Sequence, residues 1–146
     1  MPRPVISTAS SVWEGDLASG GGRVTVASDA FPTVPLTWKA RSEGELRHTT
    51  PEELIAAAHA GCYSMALSNE LASSGSTPER IEASANVTFE IGDAGPVISG
   101  IELTVEGKVP GISEEDFLAI AEAAKVGCPV SKALAAVPIT LSATLV

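Results

Sequence analysis

Residues 49–74, TTPEELIAAAHAGCYSMALSNELASS, constrain the fold more than any other segment of the chain. They are rich in helix-forming residues and place apolar side chains on nearly every helical face. Thr50, Pro51 and Glu53 have the order of a capping box, and Gly75 is typical of a helix stop. The segment therefore predicts a single helix of about 24 residues, roughly 36 Å long, that must be buried.

The middle of this helix carries Cys62, beside Met65 and Leu67, which we expect in the core. Cys62 is open to two interpretations. It is a small packing residue, as free cysteines often are, or it is the reacting atom of an enzyme. Because burial disfavours the thiolate, a reactive thiol at this position needs a neighbouring cation.

Arginine is the best candidate for this cation, because it stays charged in a pocket without water and its guanidinium can donate two hydrogen bonds at once. Arg41 and Arg23 are the first candidates, and Glu52 is the carboxylate that would hold the arginine in an apolar setting. Glu52 is also explained without any function, since first-turn carboxylates stabilise the positive end of a helix. The residues alone leave both interpretations open.

The flanking segments predict strands and shorter helices from their alternation and turn residues. This order indicates a single α+β domain, 1–146, with antiparallel sheets around the long buried helix. One small sheet can hardly cover a helix that is apolar on all sides, so we expect a homodimer that buries two such helices. The predicted strands cover residues 5–13, 23–27, 36–41, 81–91, 97–109 and 139–146, and shorter helices follow Ser113 and Cys128.

Composition excludes several classes of function. The 146 residues carry a formal net charge of -9, which would repel the phosphate backbone of a nucleic acid. We see no signal peptide and no membrane-spanning run after Met1, so we expect a soluble cytoplasmic protein without a membrane partner. The 45% hydrophobic content is enough for a core.

The second cysteine, Cys128, precedes Pro129 and caps the predicted short helix. The helix dipole and free N–H groups favour a thiolate there, and such a thiolate could attack an oxidised Cys62 to form a disulfide. A structural staple is poorly supported without a secretory context. Packing remains an alternative for both cysteines, in a small binding or structural protein whose two thiols are inert.

His59 lies three positions before Cys62, so the two side chains could form a Cys-His nucleophile pair. Such a pair would indicate a hydrolase or acyltransferase. A polar residue facing a partner chain explains His59 as well. A zinc site made of His59, Cys62 and Cys128 is weakly supported, because the Cys-x-x-Cys spacing and a fourth ligand are missing.

Three segments together resemble the OsmC/Ohr family of thiol peroxidases, on the OsmC side. They are TTPEELIAAAHAGCYSMAL (49–67), KVGCPVSKAL (125–134) and WEGDLASGGG (13–22). The resemblance extends over almost the full chain. It implies an intertwined homodimer with active sites at the subunit interface, and an enzyme that reduces organic hydroperoxides and, less readily, hydrogen peroxide.

The resemblance also implies roles for individual residues. Cys62 matches the peroxidatic cysteine, which becomes a sulfenic acid, and Cys128 matches the cysteine that resolves it as a disulfide. Glu52 matches the glutamate ten residues before the peroxidatic cysteine. The run WKARSEG resembles the strand that carries the catalytic arginine in OsmC-like members, so Arg41 is preferred over Arg23 in SGGGRV.

Electrons in the family come from a dithiol, and lipoylated proteins are implied for at least part of it. No bound metal, flavin or haem is implied. An apolar pocket around the helix would favour hydroperoxides with hydrocarbon tails.

Overall fold

The computed structural model describes residues 2–146, which form two compact units. The first unit ends at Pro51 and the second is Glu52–Val146. The single-domain interpretation stays a prediction.

The first unit contains a three-stranded antiparallel sheet in the order β1-β2-β3. The predicted first hairpin is therefore confirmed, although β1 begins four residues later than expected. Every residue of β1 is exposed, so its alternating pattern does not correspond to a core face within one chain. The strands are β1 Ala9–Glu14, β2 Gly21–Val26 and β3 Val34–Leu36.

The β1–β2 connection requires glycine at Gly20. A Cβ atom there would lie 2.2 Å from the carbonyl oxygen of Asp16, closer than any side chain tolerates. The Asp16 carboxylate accepts hydrogen bonds from the N–H and hydroxyl of Ser19, which lower the pKa of that carboxyl. Backbone approach, and not flexibility, thus explains part of the glycine-rich run.

The predicted third strand over residues 36–41 is wrong beyond Leu36. A short helix, α1 (Trp38–Glu43), follows it. Thr37 caps α1 by accepting a hydrogen bond from the Ala40 N–H at 3.0 Å, and Gly44 ends it with a φ of 80°. Lys, Ala, Arg and Glu are good helix formers, and the threonine cap selects the helix over an extended strand.

The second unit is organised around the predicted long helix, α2 (Pro51–Ser73). It ends as a Schellman motif, in which Gly75 and Ser76 donate to the carbonyls of Ala72 and Leu71. None of the helices within residues 2–146 combines the length and apolar character that a membrane span requires.

Burial of α2 on all sides is not found within one chain. Leu67 is fully buried, but Met65 is 75% exposed, so within one chain the expectation of a core position is confirmed for Leu67 and not for Met65. The buried stripe of α2 contains His59, Tyr63, Leu67 and Leu71, which recur every four residues and so share one face. The opposite face is left uncovered in the single chain.

A second three-stranded sheet, in the order β4-β5-β6, packs one face against the helices. The predicted β4–β5 hairpin is confirmed, and alternate residues of β5 (Ile101, Leu103 and Val105) are buried. The strands are β4 Arg80–Gly92, β5 Gly95–Lys108 and β6 Ile139–Leu145.

The prediction of wholly antiparallel sheets is wrong for β6, which runs parallel to β5. The connection between β5 and β6 contains two helices, and a crossover of that length returns the chain to the end where β5 began. The two helices are α3 (Glu114–Gly127), capped by Ser113 as predicted, and α4 (Pro129–Ala133).

The core of the second unit lies between α2, α3 and β5. Replacing its Leu67 with alanine should lower the free energy of unfolding by about 2 to 5 kcal/mol, because the lost methyl groups leave a cavity. Urea unfolding measures this loss. Leu118, on the outer side of α3 and 41% exposed, is the control, and its alanine variant should lose about 1 kcal/mol or less. Equal losses in both variants would contradict the assignment of the core.

Candidate active site

The two cysteines meet in the second unit. Their Sγ atoms are 3.0 Å apart although the residues are separated by 66 positions. Cys62 lies on α2, next to the buried stripe, and packs against the core cluster that contains Cys128. Cys128 lies at the joint between α3 and α4, where it is the C-cap of α3 and, as predicted, the N-cap residue of α4. Both are free thiols.

The two thiols differ in exposure, and the difference corrects an expectation. Cys62 was expected inside the protein, but it is only half-buried, whereas Cys128 is fully buried. A small molecule in solvent therefore reaches the sulfur of Cys62 more readily than that of Cys128.

The two thiols also differ in acidity. Burial raises the pKa of Cys62, and the contact with Cys128 raises it further, while the N–H of Val130 opposes the rise. Burial also works against a charge on Cys128, but the hydrogen bond with Cys62 and the N–H and hydroxyl of Ser131 outweigh it and lower the pKa of Cys128. Within this unit the first negative charge on the pair is favoured on Cys128.

The cause lies in the N-terminus of α4. The thiol of Cys128 makes no regular capping hydrogen bond. The N–H groups of Val130 and Ser131 and the Ser131 hydroxyl nevertheless favour the charged sulfur and so lower the pKa of Cys128. Pro129 starts the helix and lacks an N–H. The joint thus provides a local electropositive setting without a charged side chain.

His59 does not pair with Cys62. Its Nε2 lies 2.7 Å from the hydroxyl oxygen of Ser131, 72 positions away, and both residues are buried. Within residues 2–146, its Nδ1 has no hydrogen-bond partner. The geometry gives no support to a Cys62-His59 nucleophile pair. Burial lowers the pKa of His59, which favours the neutral ring at pH 7.

Sequence reasoning missed Ser131 as a site residue. It stands three positions after Cys128, at the third position of α4, and that spacing was a usable signal because side chains there lie beside the cap residue. Its pairing with His59 had no sequence signal, since only the packing of α2 against α4 brings them together.

Tyr63, the neighbour of Cys62, fixes α2 to α3. Its hydroxyl donates a hydrogen bond to the carbonyl of Ala121 at 2.9 Å. Burial and the charges of Glu122 and Cys128 raise the pKa of Tyr63, so its phenol stays protonated. The helix that carries Cys62 is therefore held in register with the helix that leads to Cys128.

The sequence also predicted Arg41, Glu52 and, as the alternative arginine, Arg23 as site residues. Arg41 is in the last turn of α1 and Arg23 is on β2, both in the first unit. Glu52 lies in the first turn of α2 and is 5% exposed. The ten residues between Glu52 and Cys62 correspond to about 15 Å along the helix axis, so a direct contact between these two side chains of one helix is excluded.

The arrangement is suited to dithiol chemistry. A disulfide bond is about 2.0 Å long, so the two sulfurs would have to approach by about 1 Å to form one. Within residues 2–146, no group of three or more His, Cys, Asp or Glu side chains is arranged to hold a metal ion.

Known proteins are similar to this chain over most of its length. The family model described as OsmC-like protein matches residues 42–142. Peroxiredoxin OsmC of Escherichia coli is 47% identical over 124 residues, which are 85% of this chain and 86% of the relative.

Solved structures share the fold. OhrB of Bacillus subtilis, described as an organic hydroperoxide resistance protein, matches with a TM-score of 0.70 and 24% identity over 95% of this chain and 98% of that one. An organic hydroperoxide resistance protein OsmC from Legionella pneumophila matches with a TM-score of 0.71 and 20% identity over 97% and 99% of the two chains. Both the long match of the family model and the high identity over most of the chain lead to one conclusion: this protein belongs to the OsmC family.

Proposed function

We propose that the protein is a thiol peroxidase that reduces organic hydroperoxides, and less readily hydrogen peroxide, to the alcohol or water. The observation that carries the proposal is the pair of free thiols whose sulfurs lie 3.0 Å apart. The relative named Peroxiredoxin OsmC and the two hydroperoxide resistance proteins of the same fold support this reaction class.

Cys62 is the peroxidatic residue in this proposal, because its sulfur is the more accessible of the two. Its thiolate attacks the terminal oxygen of the hydroperoxide, the O–O bond breaks, and an alkoxide leaves and takes a proton. The products are an alcohol and a Cys62 sulfenic acid.

Activation of Cys62 requires a group outside the second unit's own thiol pair, since burial and Cys128 both raise its pKa. We assign this role to Arg41, whose guanidinium would stabilise the thiolate and orient the peroxide. Glu52 would hold the arginine. Because about 15 Å of helix separates Glu52 from Cys62, the carboxylate acts through the arginine and not on the sulfur.

Cys128 resolves the sulfenic acid. Its thiolate attacks the sulfur of Cys62, the S–O bond breaks, hydroxide leaves and takes a proton, and a disulfide remains. A dithiol, such as a lipoylated protein, then returns both cysteines to thiols by exchange and is itself oxidised to a disulfide.

The working form is a homodimer in this proposal. The exposed face of α2 carries Met65 together with Ala57, Ala58 and Gly61, and small residues let two helices approach closely. β1 is likewise exposed along its whole length. A second copy would cover such surfaces, and it would complete the burial that the composition of α2 predicts.

One experiment tests the proposed cycle. About one equivalent of an alkyl hydroperoxide is added to the reduced protein, and the thiols are mapped by mass spectrometry. We expect a Cys62–Cys128 disulfide within the first turnover, because the sulfurs are already in contact, and none in the Cys62→Ser variant. Two unchanged free thiols in the wild-type protein would refute the peroxidase, and would leave the inert-thiol interpretation.

A further inference from the structure

The buried pair of His59 and Ser131 is not used by the proposed cycle. Their side chains meet at 2.7 Å, and His59 is fully buried while Ser131 is 5% exposed. A buried polar pair of this kind stabilises the fold only modestly, since each group gave up water to form it. Its position at the start of α4, three residues after Cys128, suggests a further role.

The protonation of the His59 ring follows from its surroundings. The neutral imidazole has one N–H, and within the described residues Nδ1 has no partner. A buried N–H without an acceptor is rarer in proteins than an unused lone pair. The N–H is therefore favoured on Nε2, where it donates to the oxygen of Ser131.

Donation by His59 leaves the Ser131 proton available for another acceptor. Ser131 follows Cys128 by three positions at the start of α4, and its side chain is among the hydrogen-bonding groups that lower the pKa of Cys128. An O–H that itself accepts a hydrogen bond becomes a stronger donor, because successive hydrogen bonds polarise one another. The chain His59 Nε2–H, Ser131 O–H, Cys128 Sγ thus runs in one direction.

We propose that His59 and Ser131 form a hydrogen-bond donor chain that holds Cys128 as the thiolate that attacks oxidised Cys62. The assignment rests on the proposed function. Both are positioning residues, since neither contacts the substrate. In the step they serve, an S–S bond forms and the S–O bond of the sulfenic acid breaks. Cys128 is oxidised, the Cys62 sulfur is reduced, and the departing hydroxide takes a proton from solvent.

One titratable neighbour also favours a charge on Cys128. The hydrogen bond with Cys62 is the largest cause that lowers the pKa of Cys128, and the Ser131 and Val130 groups come after it. A negative charge on Cys128 raises the pKa of Tyr63, which stays a neutral phenol. If position 62 is the same in all variants that are compared, the remaining donors are the α4 N–H groups and the Ser131 hydroxyl. Loss of that hydroxyl or of its donor should therefore be measurable against an otherwise constant background.

The first test removes Cys62 so that Cys128 titrates alone. In the full-length Cys62→Ser protein, thiolate absorbance near 240 nm is followed against pH with and without a second substitution. Ser131→Ala should raise the midpoint by about one pH unit, because a hydrogen bond to the charged form is lost. His59→Leu should raise the midpoint by less, because the Ser131 hydroxyl is kept and loses only the hydrogen bond that polarises it. His59→Gln should stay near the parent, since its amide N–H can still donate to Ser131.

The second test measures the step itself in protein with both cysteines. After one equivalent of an alkyl hydroperoxide, rapid acid quench and mass spectrometry follow the sulfenic acid and the disulfide separately. Ser131→Ala should slow disulfide formation by roughly tenfold through the lower thiolate fraction, without slowing formation of the sulfenic acid. Ser131→Thr, which keeps the hydroxyl, is the matched control and should resolve at nearly the wild-type rate.

Several results would overturn the donor chain. Unchanged titration midpoints in both Ser131→Ala and His59→Leu would refute the donor chain. A His59→Gln midpoint equal to that of His59→Leu would refute it as well. Circular dichroism checks that each variant folds. If His59→Leu does not fold, the titration midpoint of Ser131→Ala by itself tests the donor chain. Failure of the peroxidase cycle is a separate result, because it is the absence of a disulfide in the wild-type protein, and the titration uses no peroxide.

Discussion

Replacing Cys62 with serine should abolish hydroperoxide reduction, with a loss on the order of 10³-fold or more, because the covalent route through the sulfur disappears. A serine hydroxyl at this position has no strong base beside it, as His59 is committed to Ser131. The measurement is consumption of an alkyl hydroperoxide with a dithiol as the electron donor. The Cys62 side chain is only half-buried, so the isosteric serine should leave the fold intact.

Cys128→Ser is the matched control, since it removes the partner sulfur and leaves the accessible one. It should still consume one equivalent of hydroperoxide, and a diketone that traps sulfenic acids should label Cys62. This comparison matters because the second unit by itself favours the charge on Cys128. A trapped sulfenic acid on Cys128 in the Cys62→Ser protein would contradict the assignment of Cys62 as the peroxidatic residue. It would show that the lower pKa of Cys128 matters more for the reaction than the greater exposure of Cys62.

Arg41→Ala should produce the second large effect, a loss of roughly 10- to 100-fold in the rate of Cys62 oxidation at neutral pH, since an adjacent cation typically lowers a pKa by 1–3 units. The direction of the pKa change follows from the positive charge of the guanidinium. Without the guanidinium the neutral thiol is favoured, the pKa of Cys62 rises, and the pH at which oxidation reaches half its maximal rate moves upward. Stopped-flow oxidation across a pH series measures both quantities.

Arg23→Ala is the control for this prediction. Arg23 is exposed on β2, and its removal should leave the pH profile of Cys62 oxidation near that of the wild-type protein. The opposite pattern, with a normal Arg41→Ala profile and a displaced Arg23→Ala profile, would move the catalytic role to Arg23. Normal profiles in both variants would contradict activation by either arginine.

Local structure followed closely from local sequence. Pro51 and Gly75 marked the start and stop of α2, Ser113 marked the start of α3, and Cys128-Pro129 marked the joint with α4, because caps and stops depend on hydrogen bonds between near neighbours. The incorrect prediction of the third strand also involved a hydrogen bond between near neighbours, which was overlooked. Thr37 was treated as a strand residue, and its side-chain capping bond instead begins α1.

Properties that depend on packing were predicted less well from the sequence. The residues of β6 indicated a strand, but its parallel pairing with β5 depends on the path of α3 and α4 between them. Met65 has a core composition and an exposed position, since burial is a property of what covers a helix face and not of the side chain. For the same reason, Cys62 proved more open to solvent than Cys128.

Local sequence was enough to predict α2, α3 and α4, the Ser113 cap, the two cysteine motifs and the family they resemble. The contacts between distant side chains became known from the folded chain: Cys62 with Cys128 across 66 positions, and His59 with Ser131 across 72. The reason is physical. Helix periodicity and capping act over a few residues, whereas a contact between distant segments exists only after apolar burial has packed α2 against the joint of α3 and α4. That contact turns two separate thiols into one candidate redox centre.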